Sequence, residues 1–145
     1  MSEPNPPRPW YYSPTFVITT ILCVYWAVLF YSTHTKLPPG MLPGNSDKFV
    51  HFTAYGLLGA LLMALRASRG SFPWTSIVAR WVVLAMYGAF DELTQLLVNR
   101  NADIHDWFAD VVGAAIGIGI VSTISRTIHR PGRRSAGFVI EMGSK

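Results

Sequence analysis

Carboxylates and an amide interrupt an apolar run in Phe90-Asp91-Glu92-Leu93-Thr94-Gln95-Leu96-Leu97-Val98-Asn99-Arg100. The run begins near Ile77, and its length is that of a membrane-spanning helix. Ionisable side chains at bilayer depth are costly, and they usually mark a functional site in which a partner group is present. We therefore expect other polar side chains to surround Glu92 and Gln95.

Four apolar runs indicate a membrane protein. Half of the 145 residues are hydrophobic and only 14% are charged, against about 25% in soluble domains. Each run is close to the roughly 17–25 residues that cross a bilayer as a helix. The runs are Phe16–Tyr31, Phe49–Leu65, Ile77–Val98 and Trp107–Ile124. The sequence predicts an all-α, polytopic membrane protein with four transmembrane helices in an antiparallel bundle.

The basic residues indicate the orientation of this bundle. Nine of the 12 Lys and Arg residues fall on one side of the implied topology, and only Lys36, Lys48 and Arg100 fall on the other. This is the positive-inside pattern. It predicts cytoplasmic N- and C-termini in a multi-pass protein of the cytoplasmic (inner) membrane, with the lipid bilayer as its main partner. The orientation also accounts for the net charge of +4, so we expect no nucleic-acid partner.

The chain divides into a membrane domain and two tails. Residues 1–13 are predicted to be a disordered cytoplasmic tail, because four prolines fall among the first nine residues. Residues 14–125 form the four-helix membrane domain, and residues 126–145 form a basic cytoplasmic tail. The connection at residues 100–105 is short, so the third and fourth helices should be antiparallel neighbours.

Small residues recur every four positions along the fourth helix, at Ala109, Gly113 and Gly117. This spacing places them on one stripe of the helix, where a second helix backbone can approach closely. We expect another helix of the bundle to pack against this stripe.

Helical periodicity collects the polar side chains on three faces. The faces hold Asp47, His51 and Tyr55 on the second helix, Glu92, Gln95 and Asn99 on the third, and Asp106, Asp110, Gly113 and Gly117 on the fourth. The acidic residues of these faces lie in the outer third of the predicted bundle, and polar faces at similar depth can avoid lipid only by facing one another. The sequence thus predicts a polar pocket that opens outward. Asp91 points roughly 100° away from Glu92 around its helix, and the sequence assigns it no role.

Cationic groups near this pocket predict an anionic ligand. Lys48, His51 and Arg100 lie there, and two helices begin there with free N–H groups and positive dipole ends. The predicted ligand-binding residues are Asp47, Lys48, His51, Tyr55, Glu92, Gln95, Arg100, Asp106 and Asp110. Other roles stay open: Asp47 and Asp103 can cap helices, Lys48 and Arg100 can extend to the interface, and His51 can be a packing residue.

The sequence predicts neither a cofactor nor a bound metal. Cys23 is the only cysteine, and no compact metal motif such as H-E-x-x-H is present. Nitrogen and oxygen donors are nevertheless available near the pocket. They belong to His51, Glu92, His105, Asp106 and Asp110.

Several motifs occur in a distinctive order across about half of the chain. They are Asp47-Lys48-x-x-His51-x-x-x-Tyr55, Glu92-x-x-Gln95, Arg100, and Asp106 followed by Gly113 and Gly117. In these motifs the chain resembles the VanZ-like family of bacterial integral membrane proteins. It departs from the family at Asp110, where an Asn is usual. The founding member is linked to low-level teicoplanin resistance, so the resemblance implies a cell-envelope or antibiotic-resistance role, together with a fold and a site but no particular reaction.

Three functions fit these observations. The first is binding of an anionic headgroup, such as that of a lipid-linked cell-envelope intermediate, or of a lipophilic antibiotic. The second is an intramembrane enzyme acting on a phospholipid or polyprenyl phosphate, with Glu92 or His51 as the general acid or base and Arg100 stabilising developing charge. The third is a structural polar core without a ligand. The ligand and the oligomeric state do not follow from the sequence.

Overall fold

The computed structural model describes residues 11, 13–35 and 46–128. Within these residues, four helices are long and apolar enough to cross a membrane. The helices are α1 (Pro14–His34), α2 (Ser46–Ala67), α3 (Trp74–Gln95) and α4 (Ile104–Ile128). This confirms the predicted all-α architecture with four spans. The predictions for most of both tails lie outside the described residues.

The helix ends follow from local sequence. Ser13 caps α1, since its side chain accepts a hydrogen bond from the Phe16 N–H at 3.2 Å, and a proline follows at the first helical position. The prediction that the third helix continues to Asn99 is wrong by about one turn. The chain tightens into a 3-10 turn at Leu96–Val98, and Asn99 then adopts the left-handed conformation with φ 56°. Asparagine tolerates this conformation better than most residues, so it closes the helix instead of extending it.

The closest helix packing joins α2 to α4, which run in the same direction. A Cβ atom on Gly113 would overlap the carbonyl oxygen of Phe52, and one on Gly117 would overlap that of Gly56. A Cβ atom on Gly59 would lie 2.7 Å from the carbonyl oxygen of Ala114. Only glycine permits such close approach of two backbones. The predicted packing of the small-residue stripe is therefore confirmed at Gly113 and Gly117.

The other helices pack around this pair. Helix α3 runs antiparallel to α4, as predicted, and two indole N–H groups fix the pairing: Trp107 donates to the Ala85 carbonyl at 2.9 Å and Trp81 to the Val111 carbonyl at 3.1 Å. Helix α1 packs more loosely, and the Tyr25 hydroxyl donates to the Ala54 carbonyl of α2 at 2.9 Å. The bundle thus places the ends of α1 and α3 beside the starts of α2 and α4.

We call this shared end of the bundle the polar end. Among the described residues, eight polar side chains are buried, and seven of them lie at the polar end. They are Thr33, His51, Asp91, Glu92, Gln95, Asp106 and Asp110. The membrane-embedded fold therefore concentrates its buried polarity in one place, as the helical periodicity predicts.

Candidate functional site

Three buried side chains from three helices meet at the centre of the polar end. His51 of α2 lies with its Nδ1 atom 3.0 Å from Oδ1 of Asp110 on α4. One donor atom from each of His51, Glu92 and Asp110 lies within 4.8 Å of the other two. Their exposed fractions are 5%, 6% and 0%. We call these three residues the central triad.

Glu92 is fixed by the backbone of the loop before α4. Its Oε2 atom accepts a hydrogen bond from the Asp103 N–H at 2.9 Å, whereas its Oε1 atom has no hydrogen-bond partner among the described residues. Oδ2 of Asp110 is also buried without a partner. Gly88 of α3 leaves room for that carboxylate, since a Cβ atom there would lie 3.3 Å from Oδ2. The central triad therefore holds two buried oxygens with unused acceptor capacity.

Lys48 links the start of α2 to the start of α4. Its Nζ atom lies 3.4 Å from Oδ2 of Asp103 and 3.6 Å from Oδ1 of Asp106. Both Lys48 and Asp103 are partly exposed, so their ion pair contributes little to stability. The pairing matters more for the binding of an anion, because the Lys48 ammonium group is already shared between two carboxylates.

Asp103 caps α4, the role that the sequence left open for it. Its Oδ1 atom accepts a hydrogen bond from the His105 N–H at 2.8 Å, and the His105 ring nitrogen Nδ1 lies 2.9 Å from the same oxygen. The hydrogen bonds from the His105 backbone and ring lower the pKa of Asp103 to about 2. The cap is therefore negatively charged at neutral pH and lies beside the positive end of the α4 dipole.

Asp91 is a buried residue to which sequence reasoning assigned no role. It is fully buried, and its Oδ1 atom accepts a hydrogen bond from the Thr33 hydroxyl at 3.0 Å. Nδ1 of His34 lies 3.8 Å from the same oxygen, and the Gln95 amide donates to Oδ2 at 3.4 Å. Asp91 therefore attaches the end of α1 to α3. The one signal of this contact in the sequence is the angular separation of Asp91 from Glu92, because that separation directs the Asp91 side chain toward a different helix.

Arg100 also contacts α1. Its guanidinium donates to the carbonyl of Thr33 at 2.7 Å and to that of Thr35 at 3.4 Å. These carbonyls lie at the C-terminal end of α1, where a cation is favoured by the helix dipole. Arg100 and Gln95 are thus placed with Asp91 and the end of α1, while the central triad is formed by other residues.

The remaining predicted site residues lie around the triad on α2 and α4. Asp47, His51 and Asp106 form a second group whose donor atoms lie within 4.8 Å of one another. Tyr55 is fully buried one turn below His51, and its hydroxyl has no hydrogen-bond partner among the described residues. The predicted convergence of the three helix faces is observed for His51, Glu92, Asp106 and Asp110.

We expect Asp91→Ala to loosen α1 at the polar end, whereas Asp91→Asn should largely preserve its docking. Alanine leaves the buried Thr33 and Gln95 groups without their partner, at a cost of about 1–3 kcal/mol. Asparagine retains an oxygen acceptor in the same shape. Hydrogen–deuterium exchange of the amides near residue 33 should accelerate in the alanine variant. Unchanged exchange there would show that Asp91 does not hold α1.

These features define a class of protein: an integral membrane protein with four spans and a buried polar cluster at one end of the bundle. The family model described as VanZ/LLP1 matches residues 16–125. The chain therefore belongs to the VanZ/LLP1 family, which confirms the resemblance inferred from the motifs. No curated protein and no solved structure matches the chain.

Proposed function

We propose that this protein binds the phosphate-bearing headgroup of a cell-envelope lipid at the polar end, which faces outward in the topology predicted from the positive-inside pattern. The observation that carries the proposal is a groove of about 450 Å³ between α3 and α4, which we call the α3–α4 groove. Ala89, Leu93, Ile104 and Trp107 supply apolar lining, and Glu92 and Asp103 supply polar lining.

This combination suits an amphiphilic ligand. An acyl or polyprenyl chain can lie along the apolar lining, which stays in contact with lipid, while the headgroup reaches the buried polar cluster beside Glu92. A soluble anion would gain nothing from the apolar part of the groove. The lipid-linked intermediates of cell-envelope synthesis carry both parts, and a lipophilic glycopeptide antibiotic is an alternative occupant with the same amphiphilic character.

The contacts of the three predicted anion-binding residues limit how an anion could be held. Each of the three cations predicted to bind it is engaged: Lys48 with two carboxylates, His51 with Asp110, and Arg100 with α1 carbonyls. Direct binding of phosphate by these groups would require at least one of them to exchange its partner. A reaction catalysed by Glu92 or His51 is not favoured by any separate observation, so binding is the function we propose.

We expect Ala89→Trp to reduce the amount of lipid that co-purifies with the protein. The indole would fill the α3–α4 groove and displace a chain lying there, so the affinity should fall at least about tenfold, or about 1.4 kcal/mol. The measurement is mass spectrometry of lipids retained after extraction in polymer-bounded nanodiscs.

Ala79→Trp is the matched control, because this alanine lies on the exposed surface of the same helix, outside the groove. It should retain the same lipids as the wild-type protein. If wild type shows no enrichment of any phosphate-bearing lipid over the surrounding membrane, the proposed function is wrong. Equal lipid retention by the two tryptophan variants would instead show that the groove is not the binding site.

A further inference from the structure

We propose that the central triad of His51, Glu92 and Asp110 binds a divalent transition-metal ion such as Zn²⁺ or Mn²⁺, and that this ion holds the headgroup phosphate. The second part rests on the proposed function, whereas the first part does not. The donor set is one imidazole nitrogen and two carboxylate oxygens, which suits these ions.

The three side chains can converge on one ion by side-chain rotation. Their donor atoms lie within 4.8 Å of one another, and Nδ1 of His51 is 3.0 Å from Oδ1 of Asp110. Donors around a tetrahedral Zn²⁺ ion are roughly 3.4 Å apart, so a movement of about 1 Å by the more distant donor would bring all three into the first coordination sphere. The residues come from α2, α3 and α4, which the close α2–α4 packing and the Trp107 hydrogen bond hold together.

Unpartnered buried oxygens point independently to a ligand at this place. Oε1 of Glu92 and Oδ2 of Asp110 have no hydrogen-bond partner among the residues described, although both side chains are more than nine-tenths buried. Buried carboxylate oxygens without partners are costly. In Glu92 the other oxygen is anchored by the Asp103 N–H, so the free oxygen is oriented in the way that outer hydrogen bonds orient metal ligands.

The neighbouring group of Asp47, His51 and Asp106 is the weaker candidate. Its carboxylate oxygen Asp106 Oδ1 lies 3.6 Å from the Lys48 ammonium, which already supplies positive charge there. The central triad has no lysine or arginine among its contacts in the described part of the chain. A bound cation would therefore neutralise excess negative charge at the central triad, whereas Lys48 already does so at the neighbouring group.

A metal ion would also resolve the charge problem of the proposed function. Three protein ligands leave coordination positions open, and a phosphate oxygen is a suitable occupant. An ion at the triad would attract an anionic headgroup to a cluster whose own cations are engaged. The Tyr55 hydroxyl, one turn below His51 and without a partner among the described residues, offers a hydrogen bond to a ligand bound there.

The test is metal binding by the full-length protein in detergent after removal of metals with a chelator. Titration with Zn²⁺ by calorimetry and with Mn²⁺ by electron paramagnetic resonance should show saturable binding of one ion per chain. Glu92→Gln and Asp110→Asn should each weaken the affinity by about tenfold or more. Asp91→Asn is the matched control, because this neighbouring buried carboxylate contacts α1 and is not a ligand, so it should change the affinity much less than the two ligand variants.

Two results of the titration would overturn the inference. One is that the folded wild-type protein shows no saturable binding up to millimolar ion. The other is that Glu92→Gln and Asp91→Asn bind the metal ion with equal affinity. X-ray absorption of the Zn²⁺-loaded wild type provides a measurement that needs no variant. It should show a single imidazole among oxygen ligands, and a spectrum without imidazole would contradict the assignment.

A lipid comparison separates this inference from the proposed function. Lipid retention that requires the metal supports both. Equal lipid retention by stripped and loaded protein would overturn only the phosphate–metal contact. Saturable metal binding without lipid enrichment would overturn the proposed function and the phosphate–metal contact that rests on it, and would leave the metal site standing.

Discussion

Gly117→Ala should prevent most of the protein from reaching its folded state. The added methyl group would overlap the Gly56 carbonyl oxygen, and it also approaches the Ala60 nitrogen to 3.0 Å. Both neighbours are backbone atoms of a regular helix, so they cannot rotate away as a side chain would. We expect a loss of about 3 kcal/mol or more, at or above the upper end for overpacked interiors. The yield of monodisperse protein in detergent, followed by its thermal midpoint, measures the effect.

Gly119→Ala is the matched control on the same helix. A Cβ atom at Gly119 has nothing within 4 Å, so this variant should fold as well as wild type. Helix propensity favours alanine over glycine by about 1 kcal/mol, which makes slight stabilisation the expected direction. If both glycine variants behaved alike, the close approach of α2 and α4 would not be a determinant of the fold.

The contrast between the two glycines shows what the sequence could predict. A spacing of four residues placed Gly113 and Gly117 on one stripe, and helix geometry alone then required them to face a common neighbour. Gly119 lies off that stripe and has no contact. The same reasoning brought His51, Glu92 and Asp110 to one end, because the depth of a residue in a membrane helix follows from its distance to the helix ends.

Other contacts could not be derived in this way. Arg100 follows a residue with positive φ, so the direction of its side chain depends on a turn that periodicity does not encode. Asp91 and Glu92 are adjacent in sequence, yet one contacts α1 and the other the loop before α4. Which helix each carboxylate meets depends on the rotation of α3 within the bundle, and packing against all its neighbours determines that rotation.

The packing of the bundle argues against a purely structural role for the polar cluster. The close packing of α2 on α4 is made by glycines, and α1 is attached through Asp91 and Arg100. The central triad is therefore not the main link between any two helices. A purely structural cluster would be expected to satisfy its own polar atoms, whereas the described part of this one retains unpartnered oxygens on Glu92 and Asp110.

Asp110→Ala should be strongly destabilising on its own. It leaves the buried His51 ring without its hydrogen bond to Oδ1 of Asp110, and a buried group left unsatisfied costs about 1–3 kcal/mol, or more where it is charged. The double variant His51→Leu with Asp110→Ala should recover much of this loss, because replacement of both partners by apolar groups is often neutral. Thermal or denaturant unfolding of the single and double variants in one detergent gives the coupling between the two residues.

His105 provides the matched control for burial. Its Nδ1 atom lies 2.9 Å from Oδ1 of Asp103, almost the same distance as in the His51–Asp110 pair, but its side chain is 72% exposed. His105→Ala should therefore cost less than about 1 kcal/mol. A loss as large as that of Asp110→Ala would mean that burial does not set the strength of these pairs.

The double variant also distinguishes a binding site from a structural core. If His51 and Asp110 serve only to join α2 to α4, an apolar pair that restores stability should restore the whole protein. If they serve a ligand, the stable double variant should still fail to bind metal and to retain lipid. A variant that is stable, loaded with metal and enriched in lipid would remove the central triad as the binding site, because neither a leucine nor an alanine side chain can coordinate an ion.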